Sequence, residues 1–435
     1  MPDRVGSAAY KYQHIASTGH TVLARHGFTL IHTPILEYSS VYERTLGASS
    51  DVVGKEIYKF LDSSQQWMTM RPEGTAGVAR AVISNKLDEQ LPLKLFYSGP
   101  MFRHERPQKG RLRQFEQIGI EMFGVAHPAA DVECIEVGWE FLNALPINGN
   151  FELNINTLGD AQSRLRYRDS LREYFSEHQK LLSEDSQRRL ESNPLRILDS
   201  KDECDIQISH GAPSYTEYLS PQSVEHYEFV KSGLDTLGIP YIENKRLVRG
   251  LDYYQHTVWE VTCASDQLGR SQATILAGGR YDGLTSALGG TKSLPGVGWG
   301  AGIDRLALLL SDNALTFDEQ PVPILIIPDR TEVGRVVSPD LYQYALQVAK
   351  SVRNVCKYGT YIVHGAVADT TRPATSNHPS LNKQLSAILS KPPVSRKIVF
   401  IGSSEMTAKK IVVRDTLSQK QSTIRMDSID SHLFQ

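Results

Sequence analysis

Apolar positions along this chain keep several distinct rhythms, and each predicts a different kind of element. Within residues 8–26, Tyr12, Ile15, Val22 and Leu23 share one helical face, and Gly27 stands where a helix would close through a left-handed residue. Thr29 to Leu36 reads as extended with Pro34 inside it, which suits an edge or interface better than a central strand. From about residue 65 to 155, short apolar runs alternate with glycine and proline. Among them Gln66 to Met70, Leu93 to Tyr97 and Phe115 to Phe123 predict strands of an antiparallel sheet. Residues 159–240 break that rhythm: Arg, Glu, Ser and Gln dominate at helical spacing, predicting a helical insertion. Strand-like runs return at Leu247 to Val261, Ala273 to Ala277 and Gly296 to Ala301, and a helix from Asp304 closes the domain.

The polar, proline-bearing stretch 311–323 predicts a linker. Beyond it Ile324 to Ile327 is a buried-strand run, and Ser338 and Pro339 supply a helix N-cap and first residue. Leu341, Ala345, Val348, Val352 and Val355 then advance by 4, 3, 4 and 3 towards a stop at Gly359. Lys397 to Ile401 and Ile411 to Val413 are further strands. The predicted class is α+β: a sheet core in two parts (1–158 and 241–310), a helical insertion (159–240), the linker, and an α/β module (324–435).

Composition changes this picture little. The 435 residues are 40% apolar and 22% charged with a net charge of −2, ordinary for a soluble chain of about two or three domains. No apolar run approaches the roughly 20 residues of a membrane helix. Cys134, Cys204, Cys263 and Cys356 are scattered without a Cys-x-x-Cys pair. They predict neither a zinc site nor a disulfide framework, and fit a reducing compartment. A near-neutral chain can still bind nucleic acid if its cations gather in one groove, so their placement matters more than their number.

They gather at residues 102–117, FRHERPQKGRLRQFEQ, where Arg103, Arg106, Lys109, Arg111 and Arg113 fall within eleven residues around Pro107 and Gly110. Strand-like residues flank this stretch, so it predicts a hairpin with a cationic tip. Planar guanidinium groups there suit the oxygens of a polyphosphate or a nucleic-acid end. Taken alone, an Arg-rich turn is more simply a solvated basic hairpin. The interleaved Glu105, Glu116 and Glu121 are what a site for both a nucleotide and an amino acid requires.

This sixteen-residue string resembles motif 2 of class II aminoacyl-tRNA synthetases, in the form found in the histidine-specific members. The resemblance covers nearly the whole chain. Met70 to Ala79 (MRPEGTAGVA) is similar to the family's amino-acid-binding loop, and Leu247 to Glu260 (LVRGLDYYQHTVWE) to a segment characteristic of histidine-specific enzymes. Ala277 to Leu284 (AGGRYDGL) and Gly298 to Leu306 (GWGAGIDRL) look like the following glycine turn and motif 3. The C-terminal module occupies the place of the anticodon-binding domain. By resemblance, then, the sheet core is the antiparallel class II sheet flanked by helices. Its expected activity is attack of the histidine carboxylate on the α-phosphorus of ATP, followed by transfer of histidine to its tRNA.

The resemblance implies roles residue by residue. Glu73, Gly74 and Thr75 sit where the α-ammonium of histidine binds, although Glu73 by itself reads as a surface acid. Gln117 and Glu121 share one sheet face and would contact the bound histidine, with Glu121 accepting an imidazole N–H. Tyr254 would serve the other ring nitrogen beside Tyr253, although paired tyrosines are more often core aromatics. Arg103 and Arg249 are the expected catalytic pair on the α-phosphate, with Arg305 on the far end of the triphosphate. Glu105 would orient the adenine side, and Gly300 and Gly302 would let the adenine-ribose approach the backbone. Gln108, Lys109 and Arg111 are candidates for the tRNA acceptor end. Magnesium is expected to arrive with ATP, with no protein metal cage and no zinc.

Some positions depart from the family pattern. Asp304 stands where Glu is usual, Glu116 where His is common, and an apparent insertion spans Val367 to His378, although Ser380 to Leu385 (SLNKQL) still matches. Met1-Pro2-Asp3 is similar to the tail of a first strand that usually ends Asp-x-Leu-Pro, so the expectation is that the sequence begins internally. A homodimer is expected, with Pro34 at the family's interface proline, and a cytoplasmic home, or an organelle matrix such as that of mitochondria if the start is incomplete. No membrane association is expected. Three rivals stand against the main reading: a non-catalytic paralogue such as the regulatory subunit of ATP phosphoribosyltransferase, an RNA-binding protein on the same fold, and a synthetase for another amino acid.

Overall fold

The computed structural model describes residues 3–46, 56–105, 108–147, 149–198, 200, 202–248, 253–265, 267–268, 274–310, 322–326, 329–331, 334–356, 360–363 and 397–430. Two compact units divide the chain, Met1–Ala314 and Leu315–Gln435.

The strands of the first unit are β1 (Thr29–Leu30), β2 (Leu36–Tyr38), β3 (Lys59–Leu61), β4 (Trp67–Met70), β5 (Leu93–Phe102), β6 (Gln114–Phe123), β7 (Phe151–Thr157), β8 (Ile242–Glu243), β9 (Gln255–Cys263), β10 (Thr274–Arg280) and β11 (Gly296–Gly302). Its helices are α1 (Ser7–Arg25), α2 (Ser39–Leu46), α3 (Thr75–Ser84), α4 (Ala129–Asn143), α5 (Ala161–Glu177), α6 (Glu184–Ser192), α7 (Glu203–Ser209), α8 (Pro221–Thr236), α9 (Leu284–Ala287) and α10 (Ile303–Leu309).

Helix α1 closes as its sequence predicts. Gly27 takes φ 78°, its N–H donates to the Ala24 carbonyl at 3.0 Å, and the Phe28 N–H reaches the Leu23 carbonyl at 3.1 Å. This double closure satisfies carbonyls that the helix end would otherwise orphan. The extended run that follows is not one strand. Pro34 lacks an N–H for a ladder, and the run splits around it into β1 and β2, which join different sheets.

Eight strands form the main sheet in the order β1-β5-β6-β11-β10-β9-β7-β8, and β2, β4 and β3 form a small separate sheet. The six central strands pair antiparallel, while β1 and β8 pair parallel at the two edges. Strict alternation on β6 sorts its side chains. Ile118, Ile120 and Met122 enter a core shared with Ile15 and Leu23 of α1, Ile135 and Phe141 of α4, and Leu306 of α10. Gln117, Gly119 and Glu121 point to the opposite face.

Helices α5 to α8 lie within 161–236, between β7 and β8. Two of the serines in this segment cap helices: Ser183 accepts from the Ser186 N–H and Ser220 from the Ser223 N–H. Buried Asp205 gathers hydrogen bonds from the hydroxyls of Ser183, Ser186 and Ser200 at 2.6–2.7 Å.

In the second unit the strands are β12 (Val322–Ile326), β13 (Asp329–Thr331), β14 (Gly334–Val336), β15 (Thr360–Val363), β16 (Lys397–Ile401), β17 (Lys410–Asp415) and β18 (Gln421–Arg425). With α11 (Pro339–Val355) and α12 (Ser403–Ala408) they make an α/β unit whose five-stranded sheet runs β15-β12-β16-β17-β18. The Ser338 side chain caps α11 by accepting from the Leu341 N–H, and Leu341, Ala345, Val348 and Val352 are fully buried on its inner face. Gly359, Val367 to His378 and Ser380 to Leu385 lie outside the described residues.

Candidate active site

One cleft of about 310 Å³ opens over the second face of the sheet, a size within the usual range for a small-molecule site. Glu73, Thr75, Arg103, Glu105, Arg111, Gln117, Tyr253, Tyr254, Gly300, Gly302 and Arg305 all line it, although they come from four stretches of sequence. Gly74 and Glu121 lie just beneath. Gln108 and Lys109 are exposed on the hairpin tip, where Gln108 pairs with Arg111. Arg249 and Asp252 lie outside the described residues, as do Arg106 and Pro107.

The floor is built by alternation and by glycine. On β11, Gly298, Gly300 and Gly302 face the site while Trp299 and Ala301 enter the core. They pair with Glu121, Gly119 and Gln117 of β6. A methyl group at Gly298 would sit 2.3 Å from a Glu121 carboxyl oxygen, and one at Gly300 would sit 2.7 Å from the Gln117 amide nitrogen. These glycines therefore make room for the polar side chains of the neighbouring strand. Gly74 likewise admits the Tyr97 ring, which a β-carbon there would strike at 2.2 Å.

At one end two carboxyl groups meet. Glu73 is buried and accepts from the N–H groups of Thr75 at 2.7 Å and Ala76 at 2.9 Å, so it caps α3. The Thr75 hydroxyl donates to Glu121 at 2.6 Å, and Tyr281 donates to the other Glu121 oxygen. Burial raises the pKa of Glu73, against the pull of those N–H groups and of Arg103. Burial also pushes the wholly enclosed Glu121 up to about 8; the hydroxyls of Thr75 and Tyr281 oppose this and the neighbouring Glu73 adds to it. Folding thus retains a proton that the unfolded chain, with the ordinary value of 4.5, gives up. This contribution to stability is undiminished below about 4.5 and declines as pH rises towards 8. Melting curves across this window are expected to fall for the parent chain and to lie flatter for Glu121→Gln. Parallel curves would count against a shifted Glu121.

At the other end the guanidinium groups converge. The Arg103 Nε donates to the Pro72 carbonyl at 2.9 Å, fixing its plane beside the Phe115 ring. Glu105 lies 2.7 Å from the Arg111 Nε and 3.8 Å from an Arg103 nitrogen. Burial lowers the pKa of Arg305, as do the positive charges of Arg111 and Arg103, while Glu105 and Glu260 pull it back. Three cations within one another's field, only partly offset by two carboxylates, make a place for a polyanion.

Comparison with known proteins places the chain in a family. A family model described as histidyl-tRNA synthetase matches residues 1–178. A protein of Rhodospirillum rubrum named histidine–tRNA ligase is 43% identical over 431 residues, covering 99% of this chain and 96% of that protein. The chain belongs to the histidine–tRNA ligase family. A Pediococcus pentosaceus protein of the same name is 39% identical, covering 97% of this chain and 94% of its own length. The crystal structure of apo S. aureus histidyl-tRNA synthetase superposes with a TM-score of 0.76 at 27% identity, covering 100% of this chain and 98% of that one.

Several residues of this cleft were not singled out from the sequence. Tyr97, Phe115, Glu260 and Ala277 line the cleft, and Tyr281 holds Glu121. Tyr281 sits in the AGGRYDGL string, which was legible as a turn but gave no sign of a partner 160 residues away. Asp304 carries an unforeseen junction. It accepts from Arg4 at 2.8 Å, from the Tyr12 hydroxyl at 2.7 Å and from the Glu116 N–H at 2.6 Å, so the N-terminal segment and β6 both grip the residue next to Arg305.

Proposed function

We propose that this chain activates L-histidine with ATP to form histidyl-adenylate and then transfers histidine to the 3′ end of its tRNA. The observation that carries the reading is the polarity of this cleft: buried carboxyl and hydroxyl groups at one end, converging guanidinium groups at the other. Histidine lies with its ammonium towards Glu73 and Thr75 and its ring towards Gln117, Tyr253, Tyr254 and Glu121. A pocket that hydrogen-bonds both imidazole nitrogens rejects apolar isosteres, since its own polar groups would be left unpaired.

The triphosphate lies along Arg103, Arg111 and Arg305, with the adenine-ribose over Gly300 and Gly302 and its edge towards Glu105. Adenylation is an in-line displacement at phosphorus, so the protein's contribution is positioning and stabilisation of charge on the non-bridging oxygens. Arg103 supplies that charge from the hairpin, and Arg249 from the histidine-specific segment. Among the described residues no group of three His, Cys, Asp or Glu side chains is placed to hold a metal. Magnesium belongs to the ATP substrate, where it offsets phosphate charge. Gln108, Lys109 and Arg111 meet the tRNA acceptor end, and the α/β unit the anticodon. Histidine-dependent exchange of pyrophosphate into ATP, run against all twenty amino acids and followed by charging of tRNA, tests the reading. Exchange with another amino acid, or with none, would overturn it.

The working form is a homodimer in the cytoplasm. Leu36, Tyr38 and Phe60, on one face of the small sheet, are 41–54% exposed, with Pro34 and Ile35 exposed beside them. An apolar face of this kind marks an interface. Leu36→Arg combined with Tyr38→Glu is expected to convert the sedimenting dimer to a monomer at micromolar protein. An unchanged dimer would place the interface elsewhere. No described helix is long and apolar enough to cross a membrane.

A further inference from the structure

The helical insertion begins beside the cleft rather than at a distance from it. Strand β7 leads into the turn 158–160, where the Leu158 N–H donates to the His256 carbonyl and the His256 N–H donates to the Gly159 carbonyl, both at 2.7 Å. Between these two bonds His256 is held at φ 46°, a conformation that costs energy for a residue with a β-carbon. Asp160 then caps α5 by accepting from the Ser163 N–H at 2.7 Å, and is itself tied to the Ser220 hydroxyl of α8. The first turn of the insertion is therefore rigid and locked onto the main chain around residue 256.

From this first turn Arg164 reaches across. Its Nη1 donates to the main-chain carbonyl of Tyr254 at 3.1 Å. Tyr254 lines the cleft with its ring against Tyr253 and Tyr281, at centroid distances of 4.6 and 6.4 Å. Beneath that ring lies Gly279, where a β-carbon would meet it at 2.6 Å. The ring is thus set by packing from below, and the carbonyl by a charged donor from behind. The stem of Arg164 lines a second cleft, together with Arg168, Asn193 and Gln255, on the insertion side of the same strand.

We infer that Arg164 is a positioning residue for the amino-acid pocket: it fixes Tyr254 by its main chain, and so makes the insertion part of the support for histidine binding. The inference rests on the reading of Tyr254 as a histidine contact. A hydrogen bond from a charged donor contributes more than a neutral one, and its loss lets Tyr254 tilt away from the substrate ring. The triphosphate end of the cleft does not depend on it.

Arg164→Met keeps the aliphatic stem and removes the donor, whereas Arg164→Lys keeps a donor that can reach a carbonyl. In histidine-dependent pyrophosphate exchange, Arg164→Met is expected to raise the KM for histidine roughly tenfold, with the KM for ATP unchanged and kcat within about twofold. Arg164→Lys is expected to recover most of that loss. Melting curves of both variants accompany the kinetics. An unchanged histidine KM in Arg164→Met would overturn the inference, as would a uniform loss of kcat and both KM terms that tracks a lowered melting temperature. Should Arg164→Met fail to fold, Arg164→Gln, whose shorter side chain falls short of the Tyr254 carbonyl, decides in its place. A raised histidine KM at an unchanged ATP KM is expected, and parental values of both would overturn the inference. Absence of exchange in the parent chain would instead bring down the functional reading itself.

Discussion

Arg103→Ala is expected to lower the rate of histidine-dependent pyrophosphate exchange by about 10²–10³-fold, the usual consequence of removing one preorganised donor from a developing oxyanion. The argument is geometric. Arg103 spends its Nε on the Pro72 carbonyl, and that bond holds the guanidinium plane while its terminal nitrogens stay turned to the cleft. A planar, pre-aimed fork matches phosphate oxygens in a way that the point charge of lysine does not, so Arg103→Lys should remain far below the parent. The side chain lies at the cleft and a quarter of it is exposed, so melting temperature should barely move. A rate within threefold of the parent, at equal stability, would sink the assignment of Arg103 to the phosphate.

The second large effect is on stability and lies outside the cleft. Arg280 and Asp131 are both wholly buried, and the guanidinium Nε reaches the two carboxylate oxygens at 3.2 and 3.0 Å. Arg280 also donates to the Val125 carbonyl at 3.0 Å and to Asp282 at 3.2 Å, and Asp282 in turn accepts from the Gly296 N–H at 3.0 Å. Burial alone would raise the Asp131 carboxyl, but Arg280 outweighs it, with help from His226, and holds it at about 2. Arg280→Met would leave that carboxylate buried without its main partner. Breaking such a pair from one side costs about 3–5 kcal/mol, which in a unit of this size lowers the melting temperature by about 5–10 °C. Adding Asp131→Asn should restore part of the loss, because the uncompensated charge goes with it. A shift of a degree or less in Arg280→Met would show that the network contributes little.

How much of this was legible beforehand follows from how far apart the partners lie. The α1 stop at Gly27, the Ser338 cap of α11 and the helical character of 161–236 depend on neighbours within a few residues, and the sequence carries them openly. The cleft residues were found because they cluster in short strings whose chemistry belongs together. What stayed hidden was pairing across the fold. Tyr281 with Glu121, Arg280 with Asp131 and Arg4 with Asp304 are separated by 160, 149 and 300 residues, and no local pattern marks either member of a pair. The small sheet was missed for a related reason. Gln66 to Met70 reads as a strand, but nothing in its alternation says that β4 joins β2 and β3 rather than the main sheet. Leu247 to Val261 reads as one strand, whereas β9 begins only at Gln255, after the two tyrosines that turn into the cleft.

Strand β6 assigns its odd-numbered positions 117, 119 and 121 to the substrate side and its even-numbered positions 118, 120 and 122 to the hydrophobic interior. Deleting one residue from within that strand would therefore exchange the two sets at a stroke, burying an amide and a carboxyl among Phe141 and Leu23 while offering isoleucines to the cleft. The hairpin tip has no such bookkeeping. Gene-level length changes should be survivable at the exposed Gln108 and Lys109 and ruinous a dozen residues later.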